Sequence, residues 1–191
     1  MKRTGLGLAL LLAAVTPVFA TGEIVSLITS ADQARLRDYD KTRKAAFEEA
    51  AKSVSGQGAA DLKAALNASK LEFEGLELVG DWKCRTIKIG KTSPIIVYSW
   101  FKCRVTDDGS GWKLEKLTGS QRTVGRFFDD NPARITYLGS GYVAGDAAPK
   151  YGAGPQSDQV GYTFRSGQNA WRIEFPAPYY ESNLDILEFK R

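Results

Sequence analysis

The spacing of apolar residues changes near residue 75 of this chain. Before it, Leu36, Tyr39, Ala46, Phe47, Ala50 and Val54 recur every three to four positions. That period predicts a helix with one apolar stripe, interrupted at Arg43. Ser30-Ala31-Asp32-Gln33 reads as a Ser-x-x-Gln capping box, with Asp32 in the first turn where a helix dipole favours an acid. Gly56 and Gly58 are expected to end the helix. A second short helix is expected over 59–68, with Leu62, Ala65 and Leu66 on one face. The two make a helical hairpin packed on the rest of the molecule.

Beyond residue 75 the pattern alternates, as half-buried strands do. Strands are expected at 77–89, 95–106, 112–118, 122–128, 134–142, 160–165, 171–175 and 184–190, separated by turn material such as Asp107-Asp-Gly-Ser-Gly111 and Asp129-Asp-Asn-Pro132. Eight short strands with almost no helical signal between them suit an antiparallel meander that closes as a barrel or folds as a sandwich to hide its edges. The expected fold class is α+β: an N-terminal helical hairpin, then an eight-stranded antiparallel β-barrel-like sheet. Residues 145–158 form the longest loop, a candidate interaction loop with Tyr151 as its anchor.

The first residues bear on the compartment. Lys2 and Arg3 precede an apolar run from Leu6 to Val15, and Val18-Phe19-Ala20 suits a signal cleavage site. The run is too short to span a bilayer, which needs roughly 20 apolar residues. A signal peptide over 1–20, cleaved after Ala20, is expected, with no membrane anchor and a periplasmic or secreted product. The mature chain divides into a helical segment, 21–75, and a barrel-like domain, 76–191. The latter holds 17 of the 21 aromatic residues.

Charge and composition then narrow the function. Cleavage removes two basic residues and no acid, which takes the formal charge from +4 to +2. Export and so small a charge argue against nucleic acid as a partner, although Arg85, Lys102 and Arg104 are interleaved with aromatics. The 191 residues contain no histidine. That removes the commonest general base, the histidine-activated nucleophile pairs and imidazole metal sites. Two cysteines alone do not make a zinc site. Asp107-Asp108 and Asp129-Asp130 lie in turn signals and read as solvated turn acids. Gly139-Ser140-Gly141 reads as a strand irregularity. No catalytic residue, metal or cofactor is expected.

Cys84 and Cys103 sit in echoing contexts, Trp82-Lys-Cys-Arg85 and Phe101-Lys-Cys-Arg104, nearly equidistant from the 90–94 turn. This places them close to opposite across a hairpin, and in an oxidising compartment they are expected to form a disulfide.

For binding, the most concentrated polar run in the β part is Ser120-Gln121-Arg122-Thr123. Arg122 suits a buried structural ion pair or a cavity that meets an anionic ligand. Trp82, Tyr98 and Trp100 supply large apolar surfaces, by default for a core. The expected function is non-enzymatic: a small apolar or anionic ligand held in or beside the barrel by Trp82, Tyr98, Trp100, Gln121 and Arg122. The alternative is an envelope protein-interaction module, or an inhibitor of a hydrolase, acting through loops such as that of Tyr151.

Two resemblances follow from these residues. Gly80-Asp-Trp-Lys-Cys-Arg-Thr-Ile-Lys88, Trp100-Phe-Lys-Cys-Arg104, Gly119-Ser-Gln-Arg-Thr123 and Leu184-Asp-Ile-Leu-Glu188 resemble an uncharacterised family of exported bacterial proteins, the domain-of-unknown-function family numbered 4893. The likeness runs over most of residues 30–190; it implies export and a shared architecture but no mechanism. Gly80-Asp81-Trp82 is similar to the Gly-x-Trp of lipocalin-like (calycin) barrels. There the tryptophan closes one barrel end against a basic residue from a late strand, a role this resemblance would give to Arg172, Lys190 or Arg191. Here, unlike there, the helices precede the barrel. Ser140-Gly-Tyr142 is faintly similar to a loop motif of periplasmic lysozyme inhibitors, which are also disulfide-bearing eight-stranded barrels.

Overall fold

The helical segment breaks where its capping residues dictate. In the computed structural model, which describes residues 21–191, it holds four helices: α1 Thr21–Leu27, α2 Ser30–Arg37, α3 Tyr39–Ala51 and α4 Gly56–Leu66. The expected signal peptide lies outside the described residues. The cap of α2 is Thr29 rather than Ser30: its side chain accepts from the Asp32 backbone N–H at 3.2 Å. The long apolar stripe is cut at Asp38, which closes α2 and precedes α3. Gly56 begins α4 rather than ending the preceding helix; its φ of +54° lies in the region that favours glycine. The hairpin is therefore α3–α4, with α1 and α2 ahead of it.

The β part has nine strands: β1 Gly80–Gly90, β2 Ser93–Val97, β3 Phe101–Asp107, β4 Trp112–Lys116, β5 Gln121–Asn131, β6 Arg134–Val143, β7 Asp158–Gly167, β8 Ala170–Pro176 and β9 Leu184–Lys190. The expected strand over 95–106 is two, interrupted at residues 98–100. β3 pairs with the first half of β1 and β2 with its second half, so both share one edge. Eight strands, β1 and β3 to β9, run antiparallel in sequence order and close through β9 on β1. The sheet is a barrel, not a sandwich. An eight-stranded barrel has an interior just wide enough for side chains or one small ligand.

Closure gives each strand an inner and an outer face, and both are used. Inward from β1, β3, β4, β5, β6, β8 and β9 come Trp82, Cys84, Cys103, Val105, Leu114, Phe127, Tyr137, Trp171 and Phe189, one contiguous core. Outward from β1 and β9, Ile87, Ile89, Leu184 and Ile186 meet Ala46, Phe47 and Ala50 of α3 and Leu62 and Ala65 of α4 in a second core. The stripe of the sequence thus covers one flank of the barrel. Its interruption, Arg43, has a partner there. Arg43 Nε lies 2.8 Å from the Glu174 carboxylate on the outer face of β8, which also accepts from Tyr39 Oη at 2.6 Å and Arg172 Nε at 2.7 Å.

Cys84 and Cys103 are bonded, with Cα atoms 5.9 Å apart. They are not directly opposite: Cys84 faces Phe101 and Trp82 faces Cys103. The bond spans a diagonal of the β1–β3 pair because the break at 98–100 resets the register. Gly139-Ser140-Gly141 is regular strand, paired on both sides. Its glycine has a packing cause: the Tyr137 ring lies across Gly125 and Gly139, where an added Cβ would meet it at 2.6 Å.

Candidate functional site

One end of the barrel is filled and the other is polar. At the filled end Trp171 stacks on Phe189 with centroids 3.6 Å apart, and Trp82 and Phe127 meet Trp171 edge-on at 5.6 and 5.7 Å. Arg191 follows β9 and lies over Trp82, its guanidinium carbon 3.8 Å from the ring centroid. Its Nη2 donates to the carbonyls of Glu77 and Val79 at 2.9 and 2.7 Å. Arg191 therefore makes the contact expected of one of three basic residues. Of the other two, Arg172 turns to Glu174, and Lys190 lies 4.2 Å from the Trp100 ring on the outside.

The inward faces of β1, β4, β5, β7 and β9 change character toward the opposite end. Thr86, Lys116, Gln121, Thr123, Gln159 and Asp185 line a throat of about 60 Å³. Its floor is a relay: Tyr137 Oη and Thr123 Oγ1 are 2.7 Å apart, and Thr123 Oγ1 donates to Gln159 Oε1. Because the threonine proton goes to Gln159, the tyrosine donates to the threonine. The throat adjoins a cavity of about 260 Å³ that shares Gln121, Arg122, Gln159, Phe175 and Asp185 with it, and adds Lys88, Arg35, Tyr142, Tyr179 and Tyr180.

Four cations face this space, and they differ in what holds them. Arg35 is satisfied by Asp32 at 2.9 Å and by the Pro176 carbonyl at 3.0 Å. Lys88 is paired with Glu181 of the 177–183 loop. Burial lowers the Lys88 pKa, but the Glu181 bond and the charges of Asp185 and Glu181 outweigh it and leave it above the ordinary lysine value. Lys116 is 7% exposed and has no hydrogen-bond or ion-pair partner among the described residues; its ammonium rests 4.7 Å from the Phe101 ring centroid. Burial first, then the charges of Arg122 and Lys88, push its pKa down to about 8. Arg122 donates from Nη1 to the Lys116 carbonyl at 3.2 Å, while its Nε is buried without a partner. Asp185, which accepts from Ser182 Oγ, is held above the ordinary carboxyl range by withdrawal from water.

Such groups are costly to leave unsatisfied. A bound anion in the throat would bring acceptor oxygens and opposite charge to the Lys116 ammonium and the Arg122 guanidinium, which both line it.

The residues singled out in the sequence are distributed as follows. Gln121 and Arg122 stand in the throat and the cavity. Trp82 is at the filled end, its Nε1 donating to the Leu78 carbonyl at 2.8 Å. Trp100 lies on the outside at the break between β2 and β3, between Arg85 and Lys190, whereas Tyr98, partly exposed, lies beside Lys88, whose ammonium is 5.9 Å from its ring centroid. Tyr151 ties its loop to α2: its hydroxyl donates to Asp32 at 2.7 Å and accepts from the Thr29 N–H at 3.2 Å. Burial and the bond to Asp32 raise its pKa to about 12. The doubled acids are exposed, but only Asp108 lies between strands; Asp107 ends β3, and Asp129 and Asp130 lie in β5, which runs on to Asn131. Asp107 accepts from the Gly109 N–H at 2.9 Å, and Asp108 and Asp130 pair with Arg126 and Arg134.

Lys88, Lys116 and Asp185 were missed by the sequence reading. The signal for them is parity. Each shares inward parity with apolar residues of its strand: Trp82 and Cys84 before Lys88, Trp112 and Leu114 before Lys116, Leu187 and Phe189 after Asp185.

Among the described residues no group of three or more His, Cys, Asp or Glu could hold a metal ion, and no helix is long and apolar enough to cross a membrane. Residues 25–189 match the model of the family described as Domain of unknown function (DUF4893). No curated protein and no solved structure matches the chain.

Proposed function

We propose, for a chain that belongs to this domain-of-unknown-function family, that it is an exported, non-enzymatic binding protein whose barrel mouth holds a small anionic ligand. The observation that carries the reading is Lys116: a lysine 7% exposed, without a carboxylate partner, beside an arginine whose Nε is also unpartnered. Charges so far withdrawn from water are normally paired, and this one opens onto the throat, where an anion would supply the partner. A cavity of about 260 Å³ is at the small end of the range of ligand pockets. Tyr142, Tyr179 and Tyr180 along its wall favour a ligand with an apolar body behind the anionic group. Export is supported by the basic, apolar and small-residue succession of 1–20 and by the Cys84–Cys103 bond, which persists in oxidising compartments.

The test is thermal unfolding of the mature protein with benzoate and with inorganic phosphate, repeated on Arg122→Gln. The wild type is stabilised by at least one of the two anions, and the variant responds less. A wild-type unfolding temperature that neither anion moves overturns the reading. N-terminal sequencing of protein recovered from the periplasm tests export, with Thr21 as the expected first residue.

A further inference from the structure

We propose that Lys116 captures carbonyl compounds: its amine forms a reversible imine with a small aldehyde whose own anionic group is held by Arg122 at the mouth. This deepens the anion-binding reading and rests on it.

An amine forms an imine when it has a free lone pair, when a carbonyl is held against it, and when a proton reaches the departing oxygen. Lys116 meets the first condition through its surroundings. No carboxylate accepts from it, and Arg122 and Lys88 both face it with positive charge. Desolvation next to another cation is how lysines are activated as nucleophiles. In the free protein, which is what an incoming aldehyde meets, an amine with a pKa near 8 is about one quarter free base at about pH 7.5, against about one part in a thousand for an ordinary lysine. Lys88 lies in the same mouth but is paired with Glu181 and keeps its proton.

The second condition is met by the geometry of the throat. Arg122 and Lys116 line the same narrow space, so an anion held by the guanidinium places the rest of its molecule along the lysine. The third falls to Asp185, which lines that throat; withdrawal from water raises its pKa above the ordinary carboxyl value, which favours its taking up and passing on a proton. The step balances without an oxidant or reductant. The amine lone pair bonds to the carbonyl carbon, the π pair moves to oxygen, and proton transfer gives a carbinolamine. Loss of that hydroxyl with one proton leaves the imine and one water.

The test uses 4-carboxybenzaldehyde with sodium cyanoborohydride, which reduces any imine to a stable carboxybenzyl-lysine that peptide mapping locates. The control ligand is 4-(hydroxymethyl)benzoate, which carries the same anionic group and no carbonyl. The control variant is Lys116→Arg, which keeps the charge and loses the imine-forming amine. At neutral pH the wild type is labelled at Lys116 on the order of tenfold faster than at any other lysine. Lys116→Arg loses that label, and its urea-unfolding midpoint, read by tryptophan fluorescence, reports that it is folded. If the wild type binds the alcohol but labels Lys116 no faster than its surface lysines, the imine is overturned and anion binding stands. If the wild type binds neither compound, both fall.

Discussion

Arg43 of α3 and Glu174 of β8 meet at 2.8 Å beneath the helices, on the outer wall of the barrel. Arg172 and Tyr39 complete the set, and Arg172 also donates to the Ser69 and Ala68 carbonyls at 2.8 and 3.2 Å. The cluster fastens the helical segment to the barrel beside the Tyr39 ring, which packs on Tyr162 and Phe164 of β7. It is a buried charge network, so removing one member strands the others. Arg43→Met should cost about 3 kcal/mol in urea unfolding. A change below about 0.5 kcal/mol would show that water already satisfies Glu174.

The same carboxylate sets an acid limit. Burial raises its pKa, but Arg172, Arg43 and the Tyr39 bond outweigh burial and hold it below the ordinary glutamate value. For a depressed carboxyl the stabilising contribution is fully present above the unfolded-state value, about 4.3, and is lost as pH falls through the folded value. Glu174→Gln should therefore be less stable than wild type at pH 7, with the difference shrinking steadily below pH 4. A stability gap that stays constant down to acid unfolding contradicts the assignment.

At the filled end, the Arg191 guanidinium covers Trp82 and draws in the segment preceding β1 through three carbonyls, those of Glu77, Leu78 and Val79. Arg191→Ala removes a cation–π contact and these hydrogen bonds, for a loss of about 2 kcal/mol. Arg191→Lys should recover only part of it, because an ammonium lacks the planar fork. Tryptophan fluorescence during urea unfolding measures both. Equal stability of the two variants would remove the guanidinium geometry from the account.

These two clusters mark how far the sequence could be read. Alternation and turn chemistry are local, so the strands from β4 onward and an antiparallel meander were legible, and β9 matches to the residue, while closure as a barrel rather than a sandwich was left open. Arg43 was legible as an interruption of its stripe, but its partner lies 131 residues away and no local pattern carries that pairing. The break between β2 and β3 was hidden because 95–106 is apolar on both faces: β2 packs against the helices while β3 fills the barrel. The site was half legible. Arg122 stood out in a polar run, whereas Lys116 is one lysine in Trp112-Lys-Leu-Glu-Lys116, and only parity within a closed barrel turns it inward. Trp100 was read as a lining candidate but packs between the outward Arg85 and Lys190, because which face of a strand is interior depends on closure, a property of the whole sheet.

The Cys84–Cys103 bond closes a loop with a sequence separation of 19 inside the core. The chain-entropy model assigns such a loop about 3 kcal/mol. Cys84→Ala/Cys103→Ala should unfold at correspondingly lower urea. In wild type, alkylation without reductant should add no label until the chain is reduced and unfolded, because both cysteines are buried. Full labelling of native, unreduced protein contradicts the bond.

The last prediction concerns the pH dependence of ligand binding at the mouth. Free Lys116 has a pKa pushed down to about 8 by burial, Arg122 and Lys88. The groups facing it are Arg122 from β5, Lys88 from β1 with its partner Glu181, and Asp185 from β9. A bound anion brings negative charge against the ammonium and so raises the Lys116 pKa in the complex. Below pH 8 the lysine is already protonated in the free protein, and affinity for an anion such as benzoate is at its plateau. Above pH 8 the free protein has lost that proton and binding must restore it, so affinity falls toward tenfold per pH unit until the pKa of the complex is reached. Titration calorimetry near pH 9 in two buffers of different ionisation enthalpy should show close to one proton taken up per ligand, and none near pH 6.5. Lys116→Met should bind more weakly at neutral pH and lose the proton uptake. An affinity that stays flat from pH 7 to 10 in the wild type would separate Lys116 from the ligand and leave Arg122 as the only anion contact in the throat.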